Sequence, residues 1–146
     1  MPFRFLNVDL EIRSRSSLDS VARAMGNKVS VLYLGTVSPR QFLLSVETAK
    51  NCKAADRAIH DLCSIVESLP DFEKGIWNKS KKVFDIGYDF DSDAPGSGNG
   101  EKEKRMPNAI SLRNDTLKRM ADLGSTMTIT LYRNENRLST RTRRNA

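Results

Sequence analysis

Residues 17–34 (SLDSVARAMGNKVSVLYL) and 111–132 (SLRNDTLKRMADLGSTMTITLY) read as two copies of one helix-then-strand module. Leu18, Val21 and Ala22 recur in spacing as Leu117, Met120 and Ala121, and a glycine follows each set, Gly26 and Gly124. An alternating strand begins three residues after each glycine, at Val29 and at Met127. The first copy is one residue longer between its leucine and its glycine. A module stated twice predicts a fold with two related halves.

Working outward, residues 3–13 alternate: Val8, Leu10 and Ile12 lie between Asp9, Glu11 and Arg13. A period of two marks a strand with one dry face and one wet face. Ser17 is placed to cap the following helix, and Asp19 lies in its first turn, where the helix dipole favours an anion. Gly26-Asn27 predicts a left-handed stop. Residues 28–35 form the next strand, Val37-Ser-Pro39 a turn, and residues 42–48 a hairpin partner.

A longer helix is predicted over 54–69, with Ala55, Ile59, Leu62, Cys63, Val66 and Leu69 on one apolar face. Pro70 ends it. Residues 72–79 read as a short helical turn whose Phe72, Ile76 and Trp77 fill the core. Residues 83–90 are the fourth strand, with Phe84, Ile86 and Tyr88 alternating with Asp85, Gly87 and Asp89. The Gly-, Ser- and charge-rich stretch over about 91–107 reads as a flexible loop within one domain spanning 1–133. Residues 134–146 read as a basic disordered tail.

The order strand, helix, strand, strand, helix, strand, loop, helix, strand predicts an α+β fold. Strand–helix–strand halves around a hairpin imply a ferredoxin-like sandwich, a mainly antiparallel sheet with helices on one face. A doubly wound sheet would need near-continuous apolar strands, and these strands alternate.

The totals exclude several classes. At 146 residues the chain can bury roughly two-thirds of its unfolded surface, so folding needs no disulfide or metal staple. No run of about 18 apolar residues exists, which predicts no membrane span. The first residues lack a signal-peptide pattern, which implies a cytoplasmic protein. Of the net charge of +6, residues 133–146 hold five arginines against one glutamate, leaving only +2 for residues 1–132. That balance counts against a nucleic-acid platform on the folded part.

No catalytic set emerges, so the chain reads as not an enzyme. Cys52 and Cys63 have no companions at zinc spacing, and neither a metal nor a cofactor is expected. His60 is the single histidine, three residues before Cys63, but that cysteine belongs to the core stripe. Asp89, Asp91 and Asp93 begin like a calcium loop, yet Ala94 stands where glycine is needed and Gly100 where glutamate is needed. Gly96, Gly98 and Gly100 do not open a helix, so they form no phosphate loop.

Two surfaces remain. Asp9, Glu11, Asp85 and Asp89 lie on the polar faces of two strands; if these are neighbours, the acids share a face that could accept a basic partner. Arg137, Arg141, Arg143 and Arg144 could hold nucleic acid weakly, by counterion release, although no aromatic pattern makes this specific. An unpaired edge strand could support a dimer.

The segments Asn7-Val-Asp-Leu-Glu-Ile, Val31-Leu-Tyr-Leu-Gly, Cys63-Ser-Ile-Val-Glu-Ser-Leu-Pro70, Phe84-Asp-Ile-Gly-Tyr and Leu131-Tyr-Arg133 together resemble an uncharacterised bacterial family. Its members are small domains with duplicated βαβ halves, some encoded near polymorphic-toxin immunity genes. The resemblance covers residues 3–133. It implies a non-enzymatic protein-binding role, immunity-like or regulatory, and supplies no catalytic residues. Immunity proteins against nucleases are typically acidic, which the basic tail is not.

Overall fold

A computed structural model describes residues 3–90 and 110–133. The predicted loop over 91–107 and the predicted tail over 134–146 lie outside the described residues. The elements run β1 (Phe3–Ser14), α1 (Asp19–Met25), a 3₁₀ turn (Gly26–Lys28), β2 (Val29–Ser38) and β3 (Gln41–Thr48). Then come α2 (Ala55–Glu67), α3 (Asp71–Lys79), β4 (Lys81–Phe90), α4 (Asn114–Asp122) and β5 (Thr126–Arg133). The fold is α+β. Its five strands form one mostly antiparallel sheet in the order β2-β3-β1-β4-β5, with only β4 and β5 parallel.

β1 lies at the centre, paired antiparallel to β3 on one side and to β4 on the other. Its even residues Val8, Leu10 and Ile12 are buried, together with Leu44, Val46, Phe84 and Ile86 of its neighbours. Helices α1 to α4 cover the middle of this face, contributing Leu62 and Cys63 from α2, Trp77 from α3, Val21 from α1 and Met120 from α4 to one core, while Val31 and Leu34 of β2 and Met127, Ile129 and Leu131 of β5 stay exposed on the same side. Each fully buried Leu, Ile or Phe side chain there contributes roughly 2 kcal/mol. A bulge between Phe5 and Asn7 changes the parity of β1, so Phe3 and Phe5 also turn to the helix side, against Phe90 and Tyr88.

The two modules read from the sequence reach different surroundings. α1 links β1 to β2, which are separated by β3, whereas α4 links the adjacent β4 and β5. Leu18 is buried, but its counterpart Leu117 is exposed; α4 packs instead through Thr116 and Met120, with the flanking Leu112 and Leu123. Both glycines take positive φ, but only Gly124 makes a left-handed stop. Gly124 (φ 69°) closes α4 with Ser125 N–H donating to Met120 O at 3.2 Å, a Schellman-type stop. Gly26 (φ 61°, ψ −140°) is not left-handed helical; it passes the chain into the 3₁₀ turn.

The region expected to be a short turn is the nine-residue helix α3, and its Phe72 does not fill the core. Phe72 is 72% exposed while Trp77 is 2% exposed. Trp77 anchors the β4–β5 side: its indole N–H donates to Leu123 O at 3.0 Å. The Lys82 ammonium lies 5.3 Å from the indole centroid and donates to Trp77 O at 3.0 Å. Burial lowers the pKa of Lys82, and these contacts offset part of that desolvation.

Arg119 fastens α4 to α2. Its guanidinium meets both Glu67 carboxylate oxygens, at 3.0 and 2.7 Å, and donates to Ser64 Oγ at 2.9 Å. The hydrogen bonds from Arg119 hold Glu67 below its ordinary pKa, so the pair's contribution is complete above the usual carboxylate range and is lost as Glu67 protonates. Replacing Arg119 with alanine is expected to lower unfolding free energy by about 1 kcal/mol at pH 7, a modest value because the pair is partly exposed. Urea titrations should show that difference shrinking on acidification below about pH 4.

Candidate functional site

Among the described residues, nothing covers the side of the sheet turned away from the helices. The register places Asp9 opposite Asp85 across β1 and β4, with Glu11 two residues along the same side of β1. These acids and Asp89 do share one face, because the two alternating strands are neighbours. Glu47 of β3, which the sequence alone does not single out, belongs with them, beside Asp9 on the other flank. Its own strand alternates, but Gln41, Leu43, Ser45 and Glu47 carry too little charge to mark a wet face. Only the β1–β3 pairing brings Glu47 in.

Asn7 joins the acids. Its side-chain amide donates to Asp9 Oδ1 at 2.7 Å and to Glu47 Oε2 at 2.9 Å. This approach depends on Gly87 across the strand pair, where a Cβ would stand 2.9 Å from Asn7 Oδ1 and 3.4 Å from the Tyr132 ring. Thr130 donates its hydroxyl to Asp85 Oδ1 at 2.7 Å. Asp89 is separate in character, being held in an ion pair with Arg4 at 2.9 Å.

Burial, followed by the charges of Glu47, Asp85 and Glu11, pushes the Asp9 carboxyl up to about 6. The amide of Asn7 pulls the other way, since it stabilises the charged form, but one shared amide does not cancel half-burial among three acids. Tyr132 is also raised, by burial and then by Asp85, Asp9 and Glu11. The centre of the open face is thus a pole of negative potential.

The other sequence candidates separate cleanly. Cys63 is wholly buried and burial pushes its thiol up to about 11, the opposite of an activated nucleophile. Cys52 sits 3.7 Å from Asp61 Oδ2 and from Thr48 Oγ1, in a half-buried position. His60 lends its backbone carbonyl to Arg119 and to Ser64. Asp91 and Asp93, and the tail arginines Arg137, Arg141, Arg143 and Arg144, lie outside the described residues. Among the described residues, no group of three or more His, Cys, Asp or Glu side chains is set to hold a metal, and no helix is long and apolar enough to cross a membrane.

Comparison of the chain with protein-family models, with curated proteins and with solved structures finds no match.

The raised Asp9 gives a signed expectation. Because the folded protein holds this proton more tightly than the unfolded chain, stability contributed here is present below about pH 4 and lost as pH rises to about 6. Asp9→Asn removes the penalty while keeping an oxygen for Asn7. The variant should match the parent near pH 4 and exceed it by about 1 kcal/mol at pH 8, the Coulombic part being screened at a half-exposed group. Urea unfolding at the two pH values measures this.

Proposed function

We propose that this chain is a non-enzymatic binding module whose open sheet face receives a basic protein partner, in an immunity-like or regulatory role. The observation that carries the reading is the convergence of Asp9, Glu11, Glu47 and Asp85, from three adjacent strands, on one face that no helix among the described residues covers. A carboxyl kept half-buried among like charges costs stability, and such groups concentrate at functional sites. A basic side chain arriving from a partner would relieve that repulsion and return Asp9 to its ionised form. Association would then gain an electrostatic increment that neither protein has alone.

The fold reading supports a scaffold for binding. We take β1 to β4 as a ferredoxin-like sandwich of two βαβ halves, β1-α1-β2 and β3-α2-α3-β4, interleaved in the order β2-β3-β1-β4. On this reading α4 and β5 extend the sheet beyond β4. The bacterial family resemblance and a cytoplasmic setting belong to the same proposal.

The test is affinity purification of the tagged chain from its own cells, after nuclease treatment, beside the variant Asp9→Asn, Glu11→Gln, Asp85→Asn. A basic protein held stoichiometrically by the parent and lost by the variant is expected. A partner held equally by both would contradict the assignment of the acidic face.

A further inference from the structure

The near-neutral total of the folded part conceals a second pole. At the edge of the sheet where β1 ends and β4 begins, Arg13, Arg15, Arg40, Lys79 and Lys81 line a groove of about 450 Å³. No acidic side chain lines it. Among the described residues, none of the five cations forms an ion pair. Arg13 and Lys81 are register partners across β1 and β4, and Arg40 stands at the turn between β2 and β3. The cations therefore run across the ends of β3, β1 and β4, a span of about 10 Å at ordinary strand spacing.

Two details make this more than a solvated rim. Arg40 holds φ 69° at the position after Pro39, a conformation that turns reserve for glycine or asparagine. The hairpin turn sets that backbone, and it leaves the Arg40 side chain exposed with no acidic partner among the described residues. Next to the groove, and sharing Ser14, Ser16 and Lys79 with it, lies a hollow of about 690 Å³ that includes Phe72 and Arg23. Phe72 is the most exposed large apolar side chain among the described residues.

We propose that this corner binds single-stranded nucleic acid, with consecutive phosphates along the row of cations and a base stacked on Phe72. A charged groove beside an exposed ring is the combination that holds single strands without regard to sequence. Ser16 and the Gln41 amide, whose Oε1 accepts from Ser38 Oγ, add neutral donors for phosphate oxygens. Asp19 and Asp71 line the hollow around Phe72 and not the groove, so phosphates belong to the groove and the base to the hollow. This site lies beyond the acidic centre of the open face and is independent of the protein-binding reading.

The test is fluorescence anisotropy of the full chain with a labelled oligouridylate of about 12 nucleotides, a length within the usual site size of such grooves, at low and moderate salt. Neutralising Arg13, Arg40 and Lys81 to glutamine should weaken binding at least ~10-fold at low salt and reduce the salt slope by about 2, the share of three phosphates on a single strand. Phe72→Ala should weaken binding at least ~5-fold and leave the slope unchanged. Thermal melts verify folding, and Arg40→Gln alone, at an exposed turn, gives the same direction of effect if the triple variant does not fold. Affinity unchanged by the groove variants but lost on neutralising Arg137, Arg141, Arg143 and Arg144 would overturn the proposal. So would inorganic polyphosphate, an acidic peptide or anionic vesicles binding as tightly as the oligonucleotide with no effect of Phe72→Ala.

Discussion

Everything in this fold depends on β1 being paired on both sides. A central strand with two antiparallel neighbours must satisfy its ladder hydrogen bonds within the sheet, and its alternation then sorts side chains without appeal. Val8, Leu10 and Ile12 go to the helices, and Asn7, Asp9, Glu11 and Arg13 go to the open side. A slip of one residue against β4 would put Asp9 and Glu11 under α2 and α3, at a desolvation cost the domain could not bear. The bulge at Leu6 is the single exception to the alternation, and it lets Phe3 and Phe5 rejoin the core side.

The same strand carries the charge pattern. Along the open side of β1, the sign changes from acidic at Asp9 and Glu11 to basic at Arg13 within a few residues. β4 repeats the change in the opposite chain direction, from Lys81 to Asp85, so antiparallel pairing adds the two gradients instead of cancelling them. β3 contributes Glu47 at the acidic centre, and the turn before it contributes Arg40 at the basic end. The result is a nearly neutral domain with a strong internal separation of charge. Such a surface can engage ligands of opposite sign at different places.

Much of this pattern is legible in the amino-acid sequence itself. Period-two alternation locates β1, β2, β4 and β5, and it puts Asp9, Glu11, Asp85 and Asp89 on the polar sides of β1 and β4. Periodicity also places Cys63 in the core. The strand order is not legible, because alternation says which face a residue takes and nothing about its neighbours. Glu47 and the basic groove follow from that order: the groove assembles residues 13–16, 38–41 and 79–81, three short segments whose separate charges look ordinary. The +2 total of residues 1–132 points away from it, since a sum carries no information about position. Helical spacing misplaces Phe72 and Leu117 for a simpler reason. A short helix at a corner buries a narrow stripe, and spacing does not say which stripe the rest of the fold covers.

The two charged poles of the sheet are expected to take different ligands. Backbone amide shifts of the isotopically labelled chain, followed by NMR during separate titrations with a lysine-rich peptide and with an oligouridylate, test it directly. Two disjoint sets of perturbed residues are expected. The peptide should move Asn7, Asp9, Glu47 and Asp85, and the oligonucleotide Arg13, Arg40, Phe72 and Lys81. One common set, or shifts confined to residues 134–146, would contradict it.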